Sequence, residues 1–172
     1  MNVKVITISD SLSKELPKDR EFKDFSGSKL VNLFRESEIL KNLNQIEKDI
    51  IPDDIELIQN ALIESAKKFN IILTTGGTGL SPRDVTPEAT KNVLERECPG
   101  IVTALLMRSL QATPMAALSR LTAGIINKSI VINLPGNPKA VAECFEVLEK
   151  ILNHAIEILE DKAVQSTNLH NS

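Results

Sequence analysis

The chain has 172 residues, a formal net charge of −3, 42% hydrophobic and 3% aromatic residues, and no Trp or Tyr. That length suits one domain that hides a core without covalent staples, and the core has to come from Ile, Leu, Val and Ala. The composition argues against a nucleic-acid partner, which needs a concentrated cationic face. No apolar run approaches the ~20 residues of a membrane span. Cys98 and Cys144 are too few for a disulfide framework, and without a signal-like stretch the expected compartment is the cytoplasm.

Val3–Ile8 is a continuous β-branched run of the kind buried in parallel sheets, ending in Ser9-Asp10-Ser11. Ser13 to Lys23 is polar and reads as a loop. Ser28 is a candidate cap for a helix that turns Leu30, Val31 and Phe34 inward. A second strand is expected within Ile39–Ile51, closed by Pro52. Asp53 or Asp54 then starts a helix with Ile55, Ile58, Leu62, Ala66 and Phe69 on one face. Ile71–Leu73 is a short strand before the loop Thr74–Gly79. Thr86-Pro87-Glu88 begins a helix that Cys98-Pro99-Gly100 breaks, and Ile101 to Gln111 is a further helix. Asn127-Lys128-Ser129 predicts a turn into the strand Ile130–Leu134. Asn137 and Pro138 open a last helix to about Glu160, with a polar tail over 161–172. Strands alternating with helices imply an α/β domain spanning 1–160, its sheet mostly parallel and covered on both faces, with an antiparallel edge strand.

Chemistry is expected where strands run into glycine-bearing loops, at Gly76–Gly79 and at Pro135–Asn137. The carboxyl ends of parallel strands line the ligand crevice of open α/β sheets, and glycine lets backbone amides approach an anion closely. The P-loop spacing fails, because no Lys-Ser/Thr follows, and the dinucleotide spacing fails because Pro82 stands where a third glycine would. On spacing alone an anion-binding loop and a plain turn are equally supported. Asp84 and Asp53 each read two ways, as carboxylates holding Mg²⁺ near phosphates or as acids at helix starts. Arg83 either meets a phosphate or is solvated. His154, His170 and the two cysteines lack ligand or triad spacing.

The stretch Leu73-Thr74-Thr75-Gly76-Gly77-Thr78-Gly79-Leu80-Ser81-Pro82-Arg83-Asp84-Val85-Thr86-Pro87-Glu88-Ala89-Thr90 closely resembles the signature of the molybdopterin-binding family. Glu95–Gly100, Thr113-Pro114, Leu118-Ser119-Arg120 and Asn133–Cys144 match further blocks. Ser9-Asp10, Asp24–Gly27 and Ile51-Pro52-Asp53 fit weaker positions, so the resemblance runs from about residue 3 to 160. Within the family it is similar to stand-alone molybdopterin adenylyltransferases and to the G domains of gephyrin and plant Cnx. Ser26-Gly27-Ser28 stands in place of the family's usual SG-P, and Ile39–Ile50 matches poorly. The resemblance implies a three-layer α/β molybdopterin-binding fold, commonly trimeric, and transfer of AMP from Mg-ATP to molybdopterin with release of pyrophosphate. It implies Mg²⁺ at Asp84 and Asp53, phosphates at Thr75, Gly76, Gly77, Thr78 and Gly79, and the pterin side at Ser119, Arg120, Pro135, Gly136 and Asn137. It also brings a molybdenum insertion enzyme into view as a partner. The alternative is a molybdopterin-binding or trimeric scaffold domain without the activity.

Overall fold

The computed structural model describes residues 1–40 and 42–160; the polar tail expected over 161–172 lies outside them. Six strands form one sheet in the order β2-β1-β3-β6-β5-β4. β1 (Asn2–Ile8), β2 (Gln45–Ile51), β3 (Ile71–Thr75) and β6 (Ser129–Leu134) run parallel. β5 (Ala123–Ile126) is antiparallel to β6, and the two-residue β4 (Arg96–Glu97) is antiparallel to β5. β3 and β6 are buried at every position, which is why their sequences show no alternation. β2, at the edge, alternates exposed Glu47 and Asp49 with more buried Ile46 and Lys48.

Helices cover both faces. On one, α3 (Phe25–Glu36), α6 (Pro99–Ala112) and α7 (Pro138–Leu159) bring Leu30, Phe34, Leu105, Phe145 and Leu148 against Val3, Val5, Leu73 and Ile132. Phe34 and Phe145 meet edge-on with centroids 5.1 Å apart, a favourable aromatic geometry. On the other, α4 (Ile55–Ser65) and α5 (Thr86–Lys91) lay Ile58, Leu62 and Ala89 on Ile6, Ile72 and Val131. The aliphatic core and the three layers agree with the sequence reading.

Several local expectations are corrected. Ser13–Lys23 is not all loop: α1 (Asp10–Ser13) precedes α2 (Pro17–Lys23), which buries no residue. Its Lys, Glu and Arg are good helix formers, but a helix with no apolar face leaves no periodic signal. α3 is capped by Asp24, whose carboxylate accepts from Gly27 N at 3.0 Å, and not by Ser28, whose hydroxyl accepts from Lys48 Nζ at 3.0 Å. α4 is capped by Asp54, which accepts from Leu57 N at 2.9 Å. Ile55 faces solvent, and Ala66 and Phe69 lie beyond the helix end. Thr74 and Thr75 belong to β3. Cys98-Pro99-Gly100 opens a helix instead of breaking one: α5 has already stopped at Lys91, β4 intervenes, and Pro99 is the first residue of α6. Ala116 falls in a 3₁₀ turn, Pro114–Leu118. The antiparallel strand expected near Asn127 is β5, reached through Asn127 at φ 53°, and β4 beyond it forms the sheet edge.

Candidate functional site

The site is built where the carboxyl ends of β1, β3 and β6 stand side by side. The chain leaves β1 towards β2 on one side, while β3 lies on the other, so the crevice outside β1 and β3 is a topological switch point. Three loops converge there: Ser9-Asp10 after β1, Thr75 to Asp84 after β3, and Pro135–Asn137 after β6. Contact between them requires glycine. Gly76 has φ +100°, and a Cβ on it would lie 2.4 Å from Ile8 O; Gly77 has φ +64°, and a Cβ there would lie 2.3 Å from Thr86 Oγ1 and 2.9 Å from Asp53 Oδ1. Both positions combine a left-handed backbone with a space that no side chain fits. A Cβ on Gly136 would sit 3.3 Å from Gly76 Cα, so the second and third loops touch through their backbones.

The glycine loop is tied down by its neighbours. Thr86 donates from N to Gly77 O at 3.1 Å and from Oγ1 to Gly76 O at 3.0 Å. Thr75 Oγ1 donates to Pro135 O at 2.7 Å. Arg120 donates from its backbone to Thr78 O at 2.8 Å, from Nε to Gly79 O at 2.7 Å and from Nη2 to Asp84 O at 2.5 Å, and it pairs with Glu88 through Nη1. Arg120 therefore staples the loop, a role its sequence context did not reveal. Underneath, Asn133 Nδ2 donates to Thr74 Oγ1 and Thr90 Oγ1, both at 2.9 Å, joining β6 to β3 and α5.

The carboxylates stand at the rim. Asp53 and Asp10 exchange bonds: Asp10 N donates to Asp53 Oδ2 at 2.9 Å, and Asp53 N to Asp10 Oδ1 at 3.1 Å. Because Asp54 takes the cap, Asp53 is free to lean over Gly77. Asp84 lies over Gly79, its Oδ2 2.7 Å from where a Cβ would be. Its side chain caps no helix, since α5 begins after Val85 without a side-chain cap. Burial pushes the Asp53 carboxyl upward, the Asp10 amide opposes this, the Asp10 and Asp84 charges add to it, and Arg83 works against it. Arg83 Nη1 stands 3.9 Å from Asp10 Oδ2 with a mostly exposed side chain. Among the described residues no three His, Cys, Asp or Glu side chains form a ready metal cage. The chemistry of two carboxylates beside a glycine loop nevertheless fits Mg²⁺, which usually takes one or two carboxylates and completes its shell with water and substrate phosphate.

Two cavities flank the loops. One of about 260 Å³ is lined by Thr7, Ser9, Phe25, Ser26, Gly76 and Gly136. The other, about 280 Å³, includes Met115, Ser119, Leu121, Pro135, Asn137 and Glu143 in its wall. The structure thus brings Thr75–Gly79, Asp53 and Asp84 together on one side of Gly136, and Ser119, Pro135 and Asn137 together on the other. Sequence reasoning singled out neither Asp10 as partner of Asp53 nor Glu143. His154 stands exposed on α7 beside Glu157, and Cys144 is fully buried in the core.

A mostly parallel sheet whose switch point carries a positive-φ glycine loop rimmed by carboxylates defines an α/β domain with its candidate site at the carboxyl ends of the strands. The family is then specific: residues 4–154 match the family described as a probable molybdopterin binding domain, and the chain belongs to that family. It is 37% identical to a molybdopterin adenylyltransferase of Helicobacter pylori over 92% of this chain and 88% of that protein. It is 42% identical to the molybdenum cofactor synthesis protein cinnamon of Drosophila melanogaster over 91% of this chain, but spans only 25% of that longer protein. Among solved structures, the molybdopterin biosynthesis enzyme MoaB of Thermus thermophilus superposes with a TM-score of 0.77 at 34% identity, covering 92% of this chain and 95% of that one. The Mog protein of Mycobacterium ulcerans gives a TM-score of 0.82 at 26% identity, covering 92% and 98%.

Proposed function

We propose that the chain is a molybdopterin adenylyltransferase, which transfers AMP from Mg-ATP to the phosphate of molybdopterin and releases pyrophosphate. The observation that carries this reading is the pairing of Asp53 and Asp84 over Gly77 and Gly79 in a loop that only glycine can form. The likeness to the Helicobacter pylori adenylyltransferase along nearly its whole length supports it.

The chemistry needs no protein nucleophile. A phosphate oxygen of molybdopterin, ionised near neutral pH, attacks the α-phosphorus; the bond from that phosphorus to the β-phosphate oxygen breaks, and pyrophosphate leaves with its electron pair. The protein's task is to position two anions and offset their charge. In this reading the backbone of Thr75, Gly76, Gly77, Thr78 and Gly79 cradles phosphate, and Arg120 keeps that backbone in shape. Asp53 and Asp84 would hold Mg²⁺, which supplies positive charge against the phosphates. Ser119, Pro135, Gly136 and Asn137 bound the pterin side.

The test is pyrophosphate release from Mg-ATP with and without molybdopterin. Release that depends on molybdopterin and on Mg²⁺ is expected; none in the presence of both would overturn the reading. We further propose a trimer acting in the cytoplasm, its product passed to a molybdenum insertion enzyme. Exposed Met107, Leu110, Met115 and Leu118 on α6 and the following 3₁₀ turn supply apolar surface for self-association. A stable monomer in light scattering at micromolar concentration would count against the trimer.

A further inference from the structure

The 280 Å³ cavity contains a charged group that the fold does not use. Glu143, in the second turn of α7, is only 8% exposed and lines the cavity wall. Among the described residues its carboxylate accepts no hydrogen bond and joins no ion pair. Arg108 lies near enough for the two charges to attract, but it makes no direct ion pair with Glu143. Arg108 donates to the two oxygens of Glu146 at 2.7 and 3.1 Å, and Lys139, on the same cavity wall, makes no ion pair with it. A carboxylate with no direct protein partner, set in a cavity wall, is open to accept from a ligand.

The rest of the cavity indicates what that use is. Leu106, Met115, Ala116 and Leu121 give it apolar sides, and Ser109 and Ser119 add hydroxyls. Apolar walls with a small number of polar groups are the usual make-up of a small-molecule site. Pro135 and Asn137 also border the cavity, and Gly136 between them packs on Gly76 of the glycine loop. This lining suits a ligand with a flat ring, an N–H-bearing edge and an anionic side chain.

We infer that Glu143 is the specificity-determining residue for the pterin ring: its two oxygens accept the paired N–H donors of the 2-amino-4-oxopyrimidine edge. The inference rests on the reading of Ser119 and Pro135–Asn137 as the pterin side. A carboxylate matches two adjacent N–H donors by bidentate, charge-assisted hydrogen bonds. It rejects a ring carrying a carbonyl in place of the 2-amino group, because two acceptors then face each other.

The experiment compares 6-hydroxymethylpterin with 6-hydroxymethyllumazine, which carries the 2-oxo group, by fluorescence titration of the wild-type protein and of Glu143→Gln. The wild type is expected to prefer the pterin. The variant should bind pterin about ten- to a hundred-fold more weakly, the size of one hydrogen-bonded charge, and lose the preference. Gln keeps the volume and one acceptor, so the melting temperature and the KM for ATP should not move, while the KM for molybdopterin rises more than kcat falls. Equal affinity of the wild type for the two probes, no binding of either, or unchanged discrimination in Glu143→Gln would each overturn the inference. The adenylyl-transfer reading fails separately: a wild type that discriminates the probes but releases no pyrophosphate retains Glu143's role and loses the proposed reaction.

Discussion

The two sides of Gly136 are built on opposite plans. On the glycine-loop side the exposed surface is largely backbone, and its shape is fixed by bonds from Thr86, Arg120 and Thr75 to loop and neighbouring carbonyls. On the cavity side the surface is side chains, and its one buried charge is left unpaired. A surface made of backbone at positive φ cannot change its residues without changing its shape, whereas a wall of side chains tolerates substitution and adjusts to its ligand. Damage on the first side should therefore fall on turnover and loop integrity, and damage on the second on substrate choice.

The largest expected effect is that of Asp84→Asn. It removes charge over Gly79 without removing a cap, so pyrophosphate release should fall by about 10³-fold, the size of several kcal/mol of lost charge stabilisation. The melting temperature and molybdopterin binding should be nearly unchanged. Near-normal turnover would show that the carboxylate has no part in the reaction.

Gly77→Ala comes next. A Cβ there meets Thr86 Oγ1 and Asp53 Oδ1 at φ +64°, and a non-glycine residue held in this region costs about 1–3 kcal/mol. A lower denaturation midpoint together with weaker ATP binding is expected, and larger residues such as Val should do worse. Wild-type stability and affinity in the Ala variant would mean that the loop relaxes freely.

Arg120→Gln removes the bonds to Gly79 O and Asp84 O. Hydrogen bonds from charged groups are worth about 1.5–3 kcal/mol before solvent screening, and this side chain is a third exposed, so the lower end applies. The KM for ATP should rise while pterin discrimination persists. Equal losses on both sides of Gly136 would blur the distinction between them.

The smallest effect concerns pH. Burial, Asp10 and Asp84 raise the folded-state pKa of Asp53. For an acid shifted this way, the contribution to stability is fully present below its unfolded pKa and lost as pH rises through the folded value. Asp53→Asn should therefore melt slightly higher than wild type at neutral pH, with the gain shrinking on acidification. A Tm difference that does not vary with pH would contradict the shift.

Much of the glycine-loop side was legible in the sequence, because Gly76 and Gly77 directly follow a buried strand and stand out where only glycine tolerates the backbone. The choice between Asp53 and Asp54 was not, since either can cap α4; only the fold shows Asp54 taking the cap and Asp53 turning to Asp10, 43 residues earlier. Arg120 was named for the pterin side, but its staple depends on carbonyls of residues 79 and 84, which no local pattern specifies. Glu143 sat inside a matched block and drew no separate notice. On a helix an acid reads as solvated, and its burial comes from α6 packing beside α7. β4 escaped notice because two exposed residues have no periodicity.

That short β4 has a further consequence at the level of many molecules. An open sheet offers unpaired amides and carbonyls at each end, ready to template growth by a neighbouring chain. Here one end stops after exposed Arg96 and Glu97, and the other presents Glu47 and Asp49, tethered to Lys4 at 3.1 and 2.7 Å. Strand-by-strand polymerisation is disfavoured at both borders, which leaves helical surfaces as the route to any closed assembly. At high concentration the protein should resist fibril growth even when it self-associates.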